Sequence, residues 1–153
     1  MIAPTLVPIL ETEKSTLWND LQDYIAELAP FDRALPKQGP YEYPNFETLW
    51  RDRTLFWAKV EGEIAGFAIV NSEDGVTDMA DFYIRPAYRR RGIGVEFARS
   101  VIAHFPGRWM LTQYKAKTDS IAFWRSVIGE RPFAQLEYTS VNGNERVKQT
   151  FVS

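Results

Sequence analysis

A chain of 153 residues with a formal net charge of −2, 45% hydrophobic and 14% aromatic, fits one soluble globular domain with a sizeable core. The absence of cysteine excludes disulfides, thiolate catalysis and cysteine metal sites, and the lone His104 cannot build a histidine metal site. The mildly acidic balance argues against a general polyanion binder, which leaves the arginines near Arg89 as a local feature.

The N-terminal "MIAPTLVPILETEK" has no basic start, and no apolar run approaches the roughly 20 residues of a spanning helix. The expectation is a cytoplasmic protein without membrane association. Thr5 to Leu10 predicts a first strand. Leu17, Leu21, Tyr24, Ile25 and Leu28 then form one stripe of an amphipathic helix, stopped by Pro30. Four prolines in Pro30–Asn45 predict a loop, with a short helix at Phe46 to Asp52. A loop of that length often walls a site.

"TLFWAKVEGEIAGFAIVN" reads as a hairpin around "EGE", and "VTDMADFYIRP" as a strand ended by Pro86. From Gly94 the residues Phe97, Ala98, Val101, Ile102 and Phe105 space as a helix, closed by Pro106-Gly107. "RWMLTQYKA" predicts a strand and "TDSIAFWRSVIG" a helix. Two last strands flank Asn142-Gly143, a dipeptide that favours a type I′ turn. No repeat or linker interrupts this order, so residues 1–153 read as one mixed α/β domain. Its sheet is mostly antiparallel, with a parallel pair within Val76 to Ala116.

"YIRPAYRRRGIGVEFARSVI" joins a strand to a helix through four arginines and two glycines. The first turn of a helix presents unpartnered N–H groups and the positive end of the helix dipole. Gly92 and Gly94 remove side chains where a phosphate would approach, and the arginines raise the local potential. An exposed basic turn that merely reverses the chain explains the same residues equally well. A Walker A loop is excluded by the lack of Gly-Lys-Ser/Thr, and a dinucleotide fingerprint by Phe97 where a third glycine belongs.

"DFYIRPAYRRRGIGVEFARSVI" resembles motif A of the GNAT superfamily of N-acetyltransferases, with Arg89, Gly92 and Gly94 in the family's Arg/Gln-x-x-Gly-x-Gly/Ala and Ile84 and Pro86 upstream. The element order matches that family over most of the chain. The resemblance implies helices on both faces of the sheet, a splayed parallel strand pair, and acetyl-CoA lying in the splay. By analogy, backbone groups of Phe82, Tyr83 and Ile84 pair with pantetheine, and Arg90, Arg91, Gly92, Ile93, Gly94 and Val95 face the pyrophosphate. The side chains of Arg89 and Arg91 are either solvated or paired with phosphate.

Where the family often has Asn-x-x-Ala-x-x-Phe/Leu-Tyr, this chain has "KTDSIAFW", so Lys117 and Trp124 stand at the implied cofactor positions. Lysine donates but cannot accept, and an indole is no general acid near neutral pH. Trp124 reads better as a core aromatic, and the tyrosine acid has no holder at that position.

The implied reaction is direct attack of an amine on the thioester, with Asp81 as candidate base on the face of Tyr83 and Arg85. An ion pair with a nearby arginine explains Asp81 as well. Glu42 and Glu47 are weaker candidates, and Tyr41, Tyr43 and Trp50 could wall the acceptor site. Two alternatives stand beside the acetyltransferase: a non-catalytic acyl-CoA-binding module on the same fold, and a nucleic-acid-binding protein, against which the net charge and the single basic cluster argue. The partners expected are acetyl-CoA and an unidentified primary amine. The oligomeric state is open, a homodimer included.

Overall fold

The computed structural model describes residues 2–153. Its elements are β1 (Thr5–Pro8), α1 (Lys14–Leu28), α2 (Leu49–Asp52), β2 (Thr54–Val60), β3 (Glu63–Glu73), β4 (Val76–Ile84), α3 (Ile93–Ala103), β5 (Arg108–Tyr114), α4 (Thr118–Ile128), β6 (Phe133–Thr139) and β7 (Glu145–Val152). Seven strands form one sheet in the order β1-β2-β3-β4-β5-β7-β6. Every pairing is antiparallel except β4 with β5.

Helices cover both faces because the strands alternate between two cores. Leu55 and Trp57 of β2, with Phe67 and Ile69 of β3, meet Leu17 and Leu21 of α1 and Leu49 of α2. Phe56, Ala58 and Val60, the intervening residues of β2, meet the α3 stripe of Phe97, Ala98, Val101 and Ile102 and the α4 residues Trp124, Val127 and Ile128. Phe97 is fully buried, and burial of such a side chain contributes about 2–3 kcal/mol. His104 lies on the surface against Phe56, with ring centroids 5.5 Å apart.

Of the three hairpin turns, the two at "EGE" and "SEDG" fall where expected and the third does not. Glu61 (φ 53°) with Gly62 (φ 82°), and Asp74 (φ 54°) with Gly75 (φ 78°), are the tight two-residue turns, both residues being left-handed as type I′ requires. Asn142-Gly143 is not such a turn. Only Gly143 is left-handed there, and the loop runs through five residues, 140–144, closed by Ser140 N–H on Asn144 O at 2.8 Å. The reason is Asn144, whose side chain accepts from Arg33 N–H and donates to Asp32, both at 2.9 Å, drawing the loop toward the segment after α1.

Gly66 shows how closely β3 and β4 approach. A Cβ there would sit 2.1 Å from Tyr83 O, a backbone atom that cannot turn aside. Gly66→Ala is expected to destabilise the fold by about 3 kcal/mol through forced separation of the two strands. Denaturant unfolding monitored by tryptophan fluorescence measures it, and an unchanged midpoint would contradict this packing.

Candidate active site

The parallel pair is short. Only Val76, Thr77 and Asp78 of β4 pair with Arg108, Trp109 and Met110 of β5, after which the two strands separate. The opening runs along Met79–Ile84, as the splay implied. The separation coincides with a bulge: Ile69 faces Asp81 and Val70 faces Met79, so Ala80 has no partner on β3. The extra residue inverts the alternation of β4. Met79 faces α3 and α4, as do Phe82 and Ile84, while Asp81 and Tyr83 face α1. Asp78 and Asp81, three apart, thereby come to one side, close enough for Asp78 to raise the Asp81 pKa.

A cavity of about 230 Å³ occupies the opening. Its walls include Ala80, Asp81 and Phe82 of β4, Thr112 and Tyr114 of β5, Tyr24 of α1, Lys117 and Trp124 at α4, and Arg146 of β7. Arg85 N–H bonds Ala65 O at 2.7 Å, so by strand alternation the backbone of Tyr83 also turns to β3, and those of Phe82 and Ile84 turn to the opening. Tyr83 is itself buried in the α1-side core, and its ring lies under the Arg89 guanidinium at 5.5 Å.

At the mouth stands the β4–α3 turn. Arg89 N–H bonds Pro86 O and Glu96 N–H bonds Gly92 O; the six amides between them, Arg90 to Val95, have no partner among the described residues. Arg90 (φ 62°) and Gly92 (φ 76°) adopt the left-handed conformation that brings these groups round to the N-terminus of α3. Together with the helix dipole they make an anion-binding concavity.

The arginines divide. Arg89 donates to Ile84 O and twice to Glu27, each at 2.8 Å, so it ties the turn to α1. Arg90 and Arg91 are exposed, with Arg91 6.0 Å from the Tyr88 ring centre. Gly94 has a packing reason: a Cβ there would meet Phe123 at 3.1 Å and Ile84 at 3.3 Å, so this glycine lets α3 pack inward.

Asp81 accepts from Tyr43 at 2.5 Å and lies against the Tyr24 phenol. Burial pushes its carboxyl up to about 6 over the opposing hydrogen bonds from the two tyrosines; Asp78 adds to the rise and Arg53 opposes it. Burial, with the Asp81 charge, holds Tyr24 and Tyr43 above the ordinary phenol range, so both remain neutral donors. Burial also pushes Asp78 up, against the charges of Arg146, Arg53 and Lys148. Tyr114 is pushed up to about 12 by burial and by its 2.6 Å bond to Asp32.

The remaining candidates separate. Trp124 is 8% exposed and packs edge-on against Phe82 and Phe123, each at 4.9 Å, so it is a core aromatic whose edge reaches the cavity. Lys117 pairs with Asp119 at 3.1 Å. Glu47 pairs with Lys14 on the surface and Glu42 is exposed. Trp50 bonds Ile9 O and Tyr41 is held by Gln22, leaving Tyr43 as the aromatic of that loop that reaches the carboxylate. Tyr24, Tyr114, Arg146 and Asp78 were missed: Tyr24 reads only as part of a core stripe, and no local spacing marks the other three.

A seven-stranded, mostly antiparallel sheet whose one parallel pair splays beside a helix N-terminus defines the N-acetyltransferase fold. The chain belongs to the Acetyltransferase (GNAT) family, whose family model matches residues 18–129. No curated protein matches the chain. Among solved structures, a ribosomal-protein-alanine N-acetyltransferase from Brucella melitensis superposes with a TM-score of 0.70 at 17% identity, over 97% of this chain and 99% of that one. The spermidine N-acetyltransferase from Vibrio cholerae, in complex with CoA and spermine, gives 0.72 at 9% identity over 97% and 95%. Aminoglycoside acetyltransferase AAC(6')-Ib, in complex with coenzyme A and kanamycin, gives 0.71 at 16% identity over 97% and 94%. At such identities the likeness carries the fold. No helix among the described residues is long and apolar enough to cross a membrane.

Proposed function

We propose that residues 1–153 act as one domain that transfers the acetyl group of acetyl-CoA to a primary amine by direct attack. The observation that carries this reading is the run of six unpartnered amides, Arg90 to Val95, at the mouth of a strand opening that leads to Asp81. Those amides hold the pyrophosphate, with Arg90 and Arg91 adding positive potential. The backbones of Phe82 and Ile84 pair with pantetheine as an added strand would. Phe82, Trp124 and Lys117 wall the opening on the α4 side.

Asp81 is the base. With its carboxyl near 6 it is ionised at neutral pH yet basic enough to take a proton from the attacking amine. As the N–C bond forms and the C–S bond breaks, the amine proton passes to Asp81. The neutral Tyr24 phenol, against Asp81 and on the cavity wall, relays a proton to the departing thiolate and is reprotonated from Asp81. Tyr114 is unsuited, since it bonds Asp32, whose carboxyl lies below its ordinary value and so has no proton to return. Tyr24→Phe is expected to lower kcat about 10-fold or more with little change in acetyl-CoA affinity. An unaltered kcat would remove Tyr24 from the relay.

Isothermal titration with acetyl-CoA, followed by thiol release with a panel of amines, tests the whole reading. No acetyl-CoA binding by the folded protein would overturn it. Binding without turnover on any amine would favour a non-catalytic acyl-CoA-binding module, the reading that Lys117 and Trp124 at the family's Asn and Tyr positions support.

A further inference from the structure

We infer that Arg146 recognises a carboxylate on the acceptor, so that the amine acetylated belongs to a small zwitterionic molecule of the amino-acid class. The inference rests on the acetyltransferase reading of the same cavity. Arg146 and Asp81 line that one cavity, of about 230 Å³. β7 sets Arg146 opposite Tyr114, four residues along β5 from Met110, beside which β4 sets Asp78. Asp81 on β4 and Arg146 on β7 therefore reach the space from opposite sides of the β4–β5 opening, and Asp78 feels the Arg146 charge.

The guanidinium is held in place yet unpaired. It stacks on the Tyr114 ring at 4.1 Å, and that ring is fixed in turn by the bond of its hydroxyl to Asp32 at 2.6 Å. Its Nη2 donates to Thr112 Oγ1 at 3.1 Å, which points it along β5 toward the opening. Its Nε is buried without a partner, and among the described residues no carboxylate oxygen comes within 4.0 Å of it.

An arginine fork held flat against an aromatic ring, with donors unspent, matches a carboxylate. Leaving such a charge half-buried and unpaired is costly, which a purely structural role for Arg146 does not explain. Arg53 and Lys148 act together with Arg146 on Asp78, so the surrounding field is positive. A zwitterion satisfies Asp81 and Arg146 together; a polyamine places a second cation against Arg146.

The test uses amine pairs differing only in the carboxylate: phenylalanine with 2-phenylethylamine, leucine with 3-methylbutylamine, and lysine with 1,5-diaminopentane. Thiol release with saturating acetyl-CoA is expected to favour the carboxylated member by about 10-fold or more in kcat/KM in at least one pair. Arg146→Gln, with its melting temperature checked, is expected to cut that preference below threefold. If that variant does not fold, Arg146→Lys keeps the charge without the fork and is expected to lose most of the preference. Equal or better use of the decarboxylated member in every pair, or a preference surviving in whichever variant folds, overturns the inference. So does the absence of turnover with any carboxylated amine while acetyl-CoA binds. Failure of acetyl-CoA itself to bind would instead sink the underlying acetyltransferase reading.

Discussion

Asp81→Asn is expected to lower kcat/KM by about 10²-fold to 10⁴-fold and to remove the acid limb of its pH profile. In the unaltered enzyme that limb lies near pH 6, because the base works only when ionised and its carboxyl is pushed up to about 6. Activity therefore rises as pH climbs through 6, and the asparagine variant lacks this inflection at whatever residual rate it retains. The same shift supplies a stability control. A carboxyl whose folded pKa is raised favours folding most below its unfolded value near 3.9, and that contribution is lost as pH rises through 6. An uncharged asparagine side chain in its place avoids the loss, so the variant is expected to melt no lower than the parent at pH 8. A large loss of activity with preserved melting temperature assigns the base role. Full activity, or a persistent inflection near pH 6, would remove it.

Arg90→Asp combined with Arg91→Asp is the second large effect. Both side chains are exposed, so the fold has little stake in them. Arg90 is left-handed at φ 62°, a conformation aspartate tolerates better than most residues. Two carboxylates at the mouth of the unpartnered amides would repel a pyrophosphate and offer those amides a competing acceptor. Acetyl-CoA affinity is expected to fall about 30-fold to 100-fold at low ionic strength, with the loss shrinking as salt is added. Calorimetric titration at two salt concentrations reads it. Unchanged affinity would mean that the cofactor's phosphates lie elsewhere. Aspartate at Gly94 would not serve, since its Cβ would meet Phe123 and Ile84 and disturb the packing of α3.

These two sites were unequally legible in the sequence, for physical reasons. Helices and strands were legible because a period of 3.6 or 2 is written locally, and the bounds of α4 follow from it, while α2 starts at Leu49, three residues after the expected Phe46. The amide run was legible because a strand, a left-handed glycine and a helix start are consecutive in the chain. The side that Asp81 faces was read correctly, since the residues from Asp81 to Tyr83 keep regular alternation. The bulge at Ala80, which brings Asp78 to that side, depends on the register with β3 and has no mark in β4 itself. Tyr24, Tyr114 and Arg146 come from three separate elements, so only the assembled sheet brings them to one cavity. Asn142-Gly143 misled because local turn preference yielded to the distant bonds of Asn144 with Asp32 and Arg33.

The most direct measurement is an amide chemical-shift titration of the ¹⁵N-labelled protein with acetyl-CoA. The account predicts the largest shifts at Arg90 to Val95, where six donors gain phosphate acceptors, and a second group at Phe82 and Ile84 on the open edge of β4. Tyr83, whose amide already faces β3, should move less. Saturable binding with shifts confined to other surfaces, and none at Arg90 to Val95, would contradict the placement of the cofactor in the opening between β4 and β5.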